Sequence, residues 1–207
     1  MYDTTIAKRI KETTILSFAY QWLGKKTQVI ACDKRSEKKL LTKLHKILDE
    51  AEIVVAHNGD SFDIKKINAR FIIHKFKPPS PYLTIDTKKE VKKIASFDSH
   101  SLENLSIDMG EGEKIKHRGI DMWWGCMTGV IRDWKDMKRY NARDVDQLKK
   151  IYLRLRHWMK RHPLEFGNTC RCGSKEFQNR GTERTKTATY KRRQCKSCGA
   201  WGRGERC

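Results

Sequence analysis

The chain has 207 residues, with 45 Lys and Arg against 25 Asp and Glu, for a formal net charge of +20. That length fits one ordinary domain plus a small appendage, and so basic a chain points to a polyanion partner, because Lys and Arg contacts to phosphate supply most non-specific nucleic-acid affinity. No run of about 18 apolar residues is present to cross a membrane, and a start containing Asp3, Lys8, Arg9, Lys11 and Glu12 does not read as a secretory signal.

Thr13 to Trp22 is rich in β-branched and aromatic residues and predicts a strand; Gly24-Lys-Lys26 is a turn, and Thr27 to Cys32 predicts a second strand closing a hairpin. Ser36 caps an expected helix whose Leu40, Leu41, Leu44, Ile47 and Leu48 share one face. Ile53 to Ala56 is a short, continuously apolar strand of the buried kind. It runs into the turn His57-Asn-Gly-Asp60 and then a helix with Ile64, Ile67 and Phe71 aligned. Pro78, Pro79 and Pro81 are expected to end that helix, and Tyr82 to Ile85 to form another strand. Residues 109–128, dotted with glycine, read mostly as loop, with Trp123 and Trp124 as core anchors. From about Arg132 a helix is expected to run to about Lys160, with Asp144, Leu148, Ile151, Leu155 and Trp158 on one face. Strands alternating with helices predict an α/β layer fold. Pro163 and Gly167 mark a linker, so residues 1–162 form one expected domain and residues 168–207 another.

Two segments carry the chemistry. Asn58-Gly-Asp-Ser-Phe-Asp63 places an aspartate just past the carboxyl end of the Ile53–Ala56 strand, where open α/β sheets bind ligands. Tyr140-Asn-Ala-Arg-Asp144 places a phenol and a carboxylate one helical turn apart. Carboxylates that hold divalent cations serve phosphodiester cleavage, oxygen ligands suit Mg²⁺ or Mn²⁺, and a tyrosine hydroxyl can orient the attacking water. Asn58 either contacts substrate or fixes the turn that presents Asp63. Each segment also has a plainer reading: an ordinary turn with a helix-capping aspartate, and a common polar pair on a helix. His57 lines the site or steadies the turn, and His117, beside Lys116 and Arg118, is a candidate phosphate contact.

The last 40 residues change character: Leu, Ile and Val are absent from 168 to 207, so this segment needs a staple other than a hydrophobic core. Cys170-x-Cys172-Gly173 and Cys195-x-x-Cys198-Gly199, with 22 residues between the pairs, read as the two knuckles of a zinc ribbon. The first pair is one residue short; Cys170 is the expected fourth ligand, with Cys207 a spare thiol that could substitute. Cys32 and Cys126 are expected to be ordinary buried or half-buried thiols. Arg180, Arg184, Lys186, Lys191, Arg192 and Arg193 lie between the knuckles with Tyr190 among them, a composition suited to phosphate contact and base stacking.

Taken together these motifs resemble DnaQ-like 3′–5′ exonucleases of the ribonuclease H-like superfamily, in the phage and bacterial branch with a Tyr-type third motif and a C-terminal zinc ribbon. The resemblance runs through Trp22-Leu-Gly24, Ala56-His-Asn-Gly59 to Asp63, Pro78-Pro-Ser-Pro-Tyr82 with Ile85-Asp86, Lys116-His117 with Trp124-Gly-Cys126, Tyr140 to Asp144, and Cys195 to Trp201. It implies a central mixed sheet flanked by helices, a cytoplasmic setting in a bacterial or phage-infected cell, and metal-dependent removal of nucleotides from the 3′ end of DNA or RNA. Asp63 and Asp144 would be metal ligands and Tyr140 the water-positioning partner. The family also carries an Asp-x-Glu on a first strand, and none precedes Asp63 here. The expectation is therefore a sheet lacking its first strand, truncated or completed by another chain, and weak cleavage by the chain as it stands. Two other readings stay open: a non-catalytic nucleic-acid-binding protein on a nuclease scaffold, and a transposase- or resolvase-like enzyme drawing on Asp133, Asp136 or Asp146.

Overall fold

A computed structural model describes residues 14–34, 36–112, 118–159, 162 and 169–207. The expected hairpin forms from β1 (Ser17–Tyr20) and β2 (Gln28–Ala31), antiparallel, with Ser17 opposite Ala31 and Tyr20 opposite Gln28. Helix α1 (Glu37–Glu50) starts at Ser36, whose Oγ accepts the Lys39 N–H, and it buries Leu40, Leu41, Leu44 and Leu48. Strand β3 (Ile53–Ala56), helix α2 (Asp63–Ile73) and strand β4 (Leu83–Asp86) follow, and β4 lies parallel to β3 with Ala56 opposite Asp86. Helix α2 ends at Ile73, before the prolines: Lys75 turns the chain with φ 58°, so Pro78, Pro79 and Pro81 sit in the loop beyond.

Four helices complete the larger unit: α3 (Thr87–Ile94), α4 (Leu102–Asp108), α5 (Ile120–Met127) and α6 (Ile131–Leu155). Helix α5 corrects the reading of residues 109–128 as mostly loop. Its Gly125 disguises it, and the glycine is required there by packing: a Cβ would lie 1.7 Å from the Asp133 carboxylate of α6. Trp123 and Trp124 are not core anchors either, at 46% and 66% exposed, because α5 turns Met122 and Cys126 inward instead. Helix α6 stops five residues short of Lys160, and Trp158, 68% exposed, lies beyond it rather than on its apolar face.

Helix α6 organises the core. Its carboxyl half packs Ile151, Tyr152 and Leu155 against Ile85, Val91 and Leu105, with Ile53 and Val55 at the edge of that cluster. Its amino half packs Trp134 and Met137 against Met122, Cys126 and Ala31. On the other side Leu41, Leu44, Leu48 and Phe71 of α1 and α2 receive Phe18 and Val54. Strand β3 thus alternates faces, Val54 toward α1 and α2 and its neighbours toward α6, as the two-residue period of a strand demands. It is half-buried throughout, not the fully buried strand its composition suggests. Among the described residues β3 pairs only with β4 and β1 only with β2. A nearly buried ion pair ties the layers: the Arg70 guanidinium of α2 donates twice to Glu37 of α1, at 2.9 and 2.5 Å, and the Ile15 N–H donates to the same carboxylate.

The tail folds into an antiparallel sheet of β5 (Phe177–Arg184), β6 (Thr189–Cys195) and β7 (Trp201–Arg206), in that order. Its small core is Cys170, Cys195 and Ala200 with Phe177 packed on them. The expected fold class is present: a mixed α/β unit of helices and small sheets, with a C-terminal four-cysteine unit. No helix among the described residues is long and apolar enough to cross a membrane.

Candidate active site and cysteine cluster

The turn after β3 presents Asp63. Asn58 takes the left-handed conformation, with φ 62°, and its carbonyl accepts the Phe62 N–H at 3.1 Å, winding the chain into α2. Asp63 is the first residue of α2, and Phe62 occupies the cap position without a side-chain bond, so Asp63 is not the cap of the plainer reading. Asn58 does not reach outward through its backbone: its N–H donates to Asp86 Oδ1 at 2.8 Å. Asp86, at the end of β4, also caps α3 by accepting from Lys88 and Lys89. Its Oδ2 is buried and has no hydrogen-bond partner among the described residues. Sequence reasoning quoted Asp86 only as part of a resemblance and gave it no role. The signal that marks it is an acid ending an apolar strand with a helix start behind it.

Electrostatics distinguish Asp63. Burial raises its pKa first, and the neighbouring Asp86 charge raises it further. Its side chain is nonetheless exposed to solvent. Water therefore moderates the shift. Asp60, in the same turn, is held low by Lys89, whose ammonium lies 2.8 Å away. His57 faces inward: one ring nitrogen meets Thr87 Oγ1 at 2.9 Å and the other the His100 carbonyl at 3.0 Å, and burial holds its pKa down. It steadies the turn.

Tyr140 and Asp144 lie in the middle of α6, both half-buried. Contacts on either side fix that stretch: Asn141 Nδ2 donates to Ser17 Oγ of β1 at 2.6 Å, and Thr27 Oγ1 donates to Asp146 Oδ1 at 2.5 Å. Asp146 is thus engaged with the hairpin loop, and Asp133 is buried in an ion pair with Arg118. His117 lies outside the described residues. Among those described, no three carboxylates converge closely enough to form a cation cage; the group that does converge is made of cysteines.

Cys170, Cys172, Cys195 and Cys198 bring their sulfurs within 4.8 Å of one another. Cys170 and Cys198 are 3.6 Å apart and Cys172 and Cys195 3.7 Å. A disulfide would need about 2.05 Å. Four thiolates around zinc at about 2.3 Å, tetrahedrally, sit about 3.8 Å apart, so the donor set and its spacing fit that ion. Cys170 completes the quartet, and Cys207 is exposed at the end of the chain. The knuckle glycines Gly173 and Gly199 have φ 91° and 72°, a region that disfavours any side chain. Burial pushes the Cys170 thiol up to about 12. Burial also acts on Cys195, but the amide N–H groups of Cys198 and Ser197 and the neighbouring thiols outweigh it and bring that thiol down to about 6.

On the sheet, strand alternation separates the basic candidates. Tyr190 and Arg192 share one face with Trp201 and Arg203 of β7, and the Arg192 guanidinium lies 4.1 Å from the Trp201 ring centre. Arg193 points to the other face and stacks on Phe177 at 4.2 Å. Trp201, absent from the sequence-derived candidates, is the ring at the centre of this surface.

A family model described as the RNase_H superfamily matches residues 4–156. No curated protein matches the chain.

Proposed function

Because the chain belongs to the RNase H superfamily, we propose that it is a metal-dependent 3′–5′ exonuclease of the DnaQ-like type acting on DNA or RNA. The observation that carries this reading is the placement of Asp63. It sits just past the carboxyl end of β3, in a turn locked to β4 by Asp86, open to solvent and raised in pKa. Superfamily membership and the divalent metals such folds use make nucleic acid the natural substrate. Asp63 and Asp144 would hold Mg²⁺ or Mn²⁺, which would activate water and offset charge on the leaving oxygen. The chain's own part is positional. The Asn58 turn aims Asp63, α6 holds Tyr140 one turn from Asp144, and the Tyr140 hydroxyl orients the water by hydrogen bonding. Residues 168–207 form a zinc-ribbon nucleic-acid-binding unit stapled by Cys170, Cys172, Cys195 and Cys198, and residues 1–162 the catalytic one.

The test is digestion of a 5′-labelled single strand with and without Mg²⁺, resolved as a ladder. The reading predicts stepwise shortening from the 3′ end that needs the cation and falls at least about 100-fold in Asp63→Asn and in Asp144→Asn. Cleavage that ignores both substitutions would refute it. The absence, among the described residues, of any converging trio of carboxylates favours one alternative, a nuclease scaffold kept for binding. That alternative predicts tight binding with no shortening at all.

A further inference from the structure

We propose that the face of the β5–β7 sheet bearing Trp201, together with Trp158 just beyond α6, forms a binding site for single-stranded nucleic acid, with indole and phenol rings stacking on bases and arginines meeting phosphates. This deepens the nucleic-acid reading of the tail by naming the surface, the ligand class and the residues.

Register places the groups. Arg192 lies opposite Arg203 and Gln194 opposite Trp201, so all four share a face with Tyr190. Cation–π contacts fix two ring–arginine pairs there: Arg192 on Trp201 at 4.1 Å and Arg203 on Tyr190 at 5.4 Å. Trp201 is 42% exposed although the ribbon has little apolar surface to bury. Across an open cleft of about 1020 Å³ stands Trp158, 68% exposed, beyond the end of α6. That volume is at the upper limit of small-ligand pockets, about 300–1,000 Å³, and the cleft is open, as a groove for a chain must be.

Charge selects the ligand's sign. Residues 169–207 hold eleven Lys or Arg and three Glu. Two of those glutamates are engaged, Glu183 with Arg203 and Glu205 with Lys191. Such exposed pairs contribute little and yield readily to phosphate. The rings select the strand state: a duplex hides its base faces within its own stack, whereas a single strand offers every base face to a flat ring. Neither rings nor guanidiniums in this array read base edges, so recognition is independent of sequence.

The test uses the full chain loaded with zinc, without Mg²⁺ so that nothing is cleaved. Fluorescence anisotropy is measured with labelled oligo-dT and oligo-U, with a duplex of equal length, and with polyglutamate as competitor. The expected result is salt-sensitive binding of oligo-dT or oligo-U, weaker binding of the duplex and poor competition by polyglutamate. Trp201→Ala should weaken single-strand binding about ten-fold or more, and Trp201→Phe should restore most of it. Arg192→Gln should lower the salt slope by about 0.7. Unchanged zinc content in each variant certifies the fold. Ring variants that bind like the parent, a preference for duplex, or equal competition by polyglutamate would overturn the proposal. Mg²⁺-dependent shortening of the same oligonucleotide at saturating concentration by Trp201→Ala, and by Asp63→Asn and Asp144→Asn, reports separately on the cleavage site, so failure of one reading leaves the other measurable.

Discussion

Asp86 joins the fold to the candidate site, and its removal should be felt in both. Its Oδ1 accepts three backbone N–H groups, from Asn58 at 2.8 Å, Lys88 at 3.1 Å and Lys89 at 3.4 Å, while the residue is 3% exposed. Loss of an N-cap acid costs about 0.5–2 kcal/mol, and loss of a buried amide bond to a charged acceptor about 1.5–3 kcal/mol. Against this stands the partnerless Oδ2, whose desolvation cost vanishes in alanine. Asp86→Ala should therefore destabilise by about 3 kcal/mol in urea unfolding. Asp86→Asn keeps the acceptor and removes the charge. Asp63 must be ionised to hold a cation, so activity is lost as pH falls through its raised pKa. Removing the Asp86 charge, one cause of that rise, lowers the pKa and moves the acidic limb of the pH–rate profile to lower pH. An Asp86→Ala cost under about 0.5 kcal/mol would refute the structural reasoning. An acidic limb that stays put or moves upward in Asp86→Asn would refute the electrostatic reasoning.

Arg70→Leu leaves the Glu37 carboxylate, 12% exposed, with the Ile15 N–H and His74 as its partners and should cost about 1.5–3 kcal/mol, whereas Glu37→Leu with Arg70→Leu should cost less than the single change; chemical denaturation of both decides it. His162, bonded to the Tyr152 hydroxyl at 2.9 Å, is held neutral by burial and by Arg171 and Arg156, with its pKa lowered from 6.5 to about 4. Its contribution is fully present above pH about 6.5 and drains away as pH falls toward 4, because the unfolded chain binds the proton first. His162→Gln should flatten that part of the stability–pH curve, and an unchanged slope would contradict the assignment. Chelation should release one zinc per chain and red-shift the emission of Trp201 as the ribbon unfolds. Cys195→Ser should do the same, and Cys207→Ser should leave metal content unchanged.

Much of the larger unit was legible because its signals are local. Ser36 before a leucine stripe, the apolar run Ile53–Ala56 and the long stripe through Leu148, Ile151 and Leu155 each declare an element without help from the rest of the chain, although that stripe, extended to Trp158, overran the end of α6. Helix α5 was hidden because its glycine is dictated by Asp133, a residue in the next helix, which no local pattern reveals. The exposed Trp123 and Trp124 show the same limit: burial depends on which face a helix turns inward, and on α5 Met122 and Cys126 take that face. At the site, the turn that carries Asp63 was readable from its residue types. The role of Asp86 was not, since it rests on a contact 28 residues away in sequence. The cysteine quartet, Cys170 included, was readable from spacing, and the coordinates bring those four sulfurs together.

The central claim is that Asp63 and Asp144 serve one metal-dependent reaction at nucleic-acid 3′ ends. Single-turnover digestion of a 5′-labelled oligonucleotide by wild type, Asp63→Asn and Asp144→Asn, across a Mg²⁺ titration, tests it most directly. The account predicts Mg²⁺-dependent stepwise shortening in wild type and loss of at least about 100-fold in each variant, with ribbon zinc retained. Shortening at the wild-type rate in either variant, or none in wild type at any Mg²⁺ concentration, would contradict it.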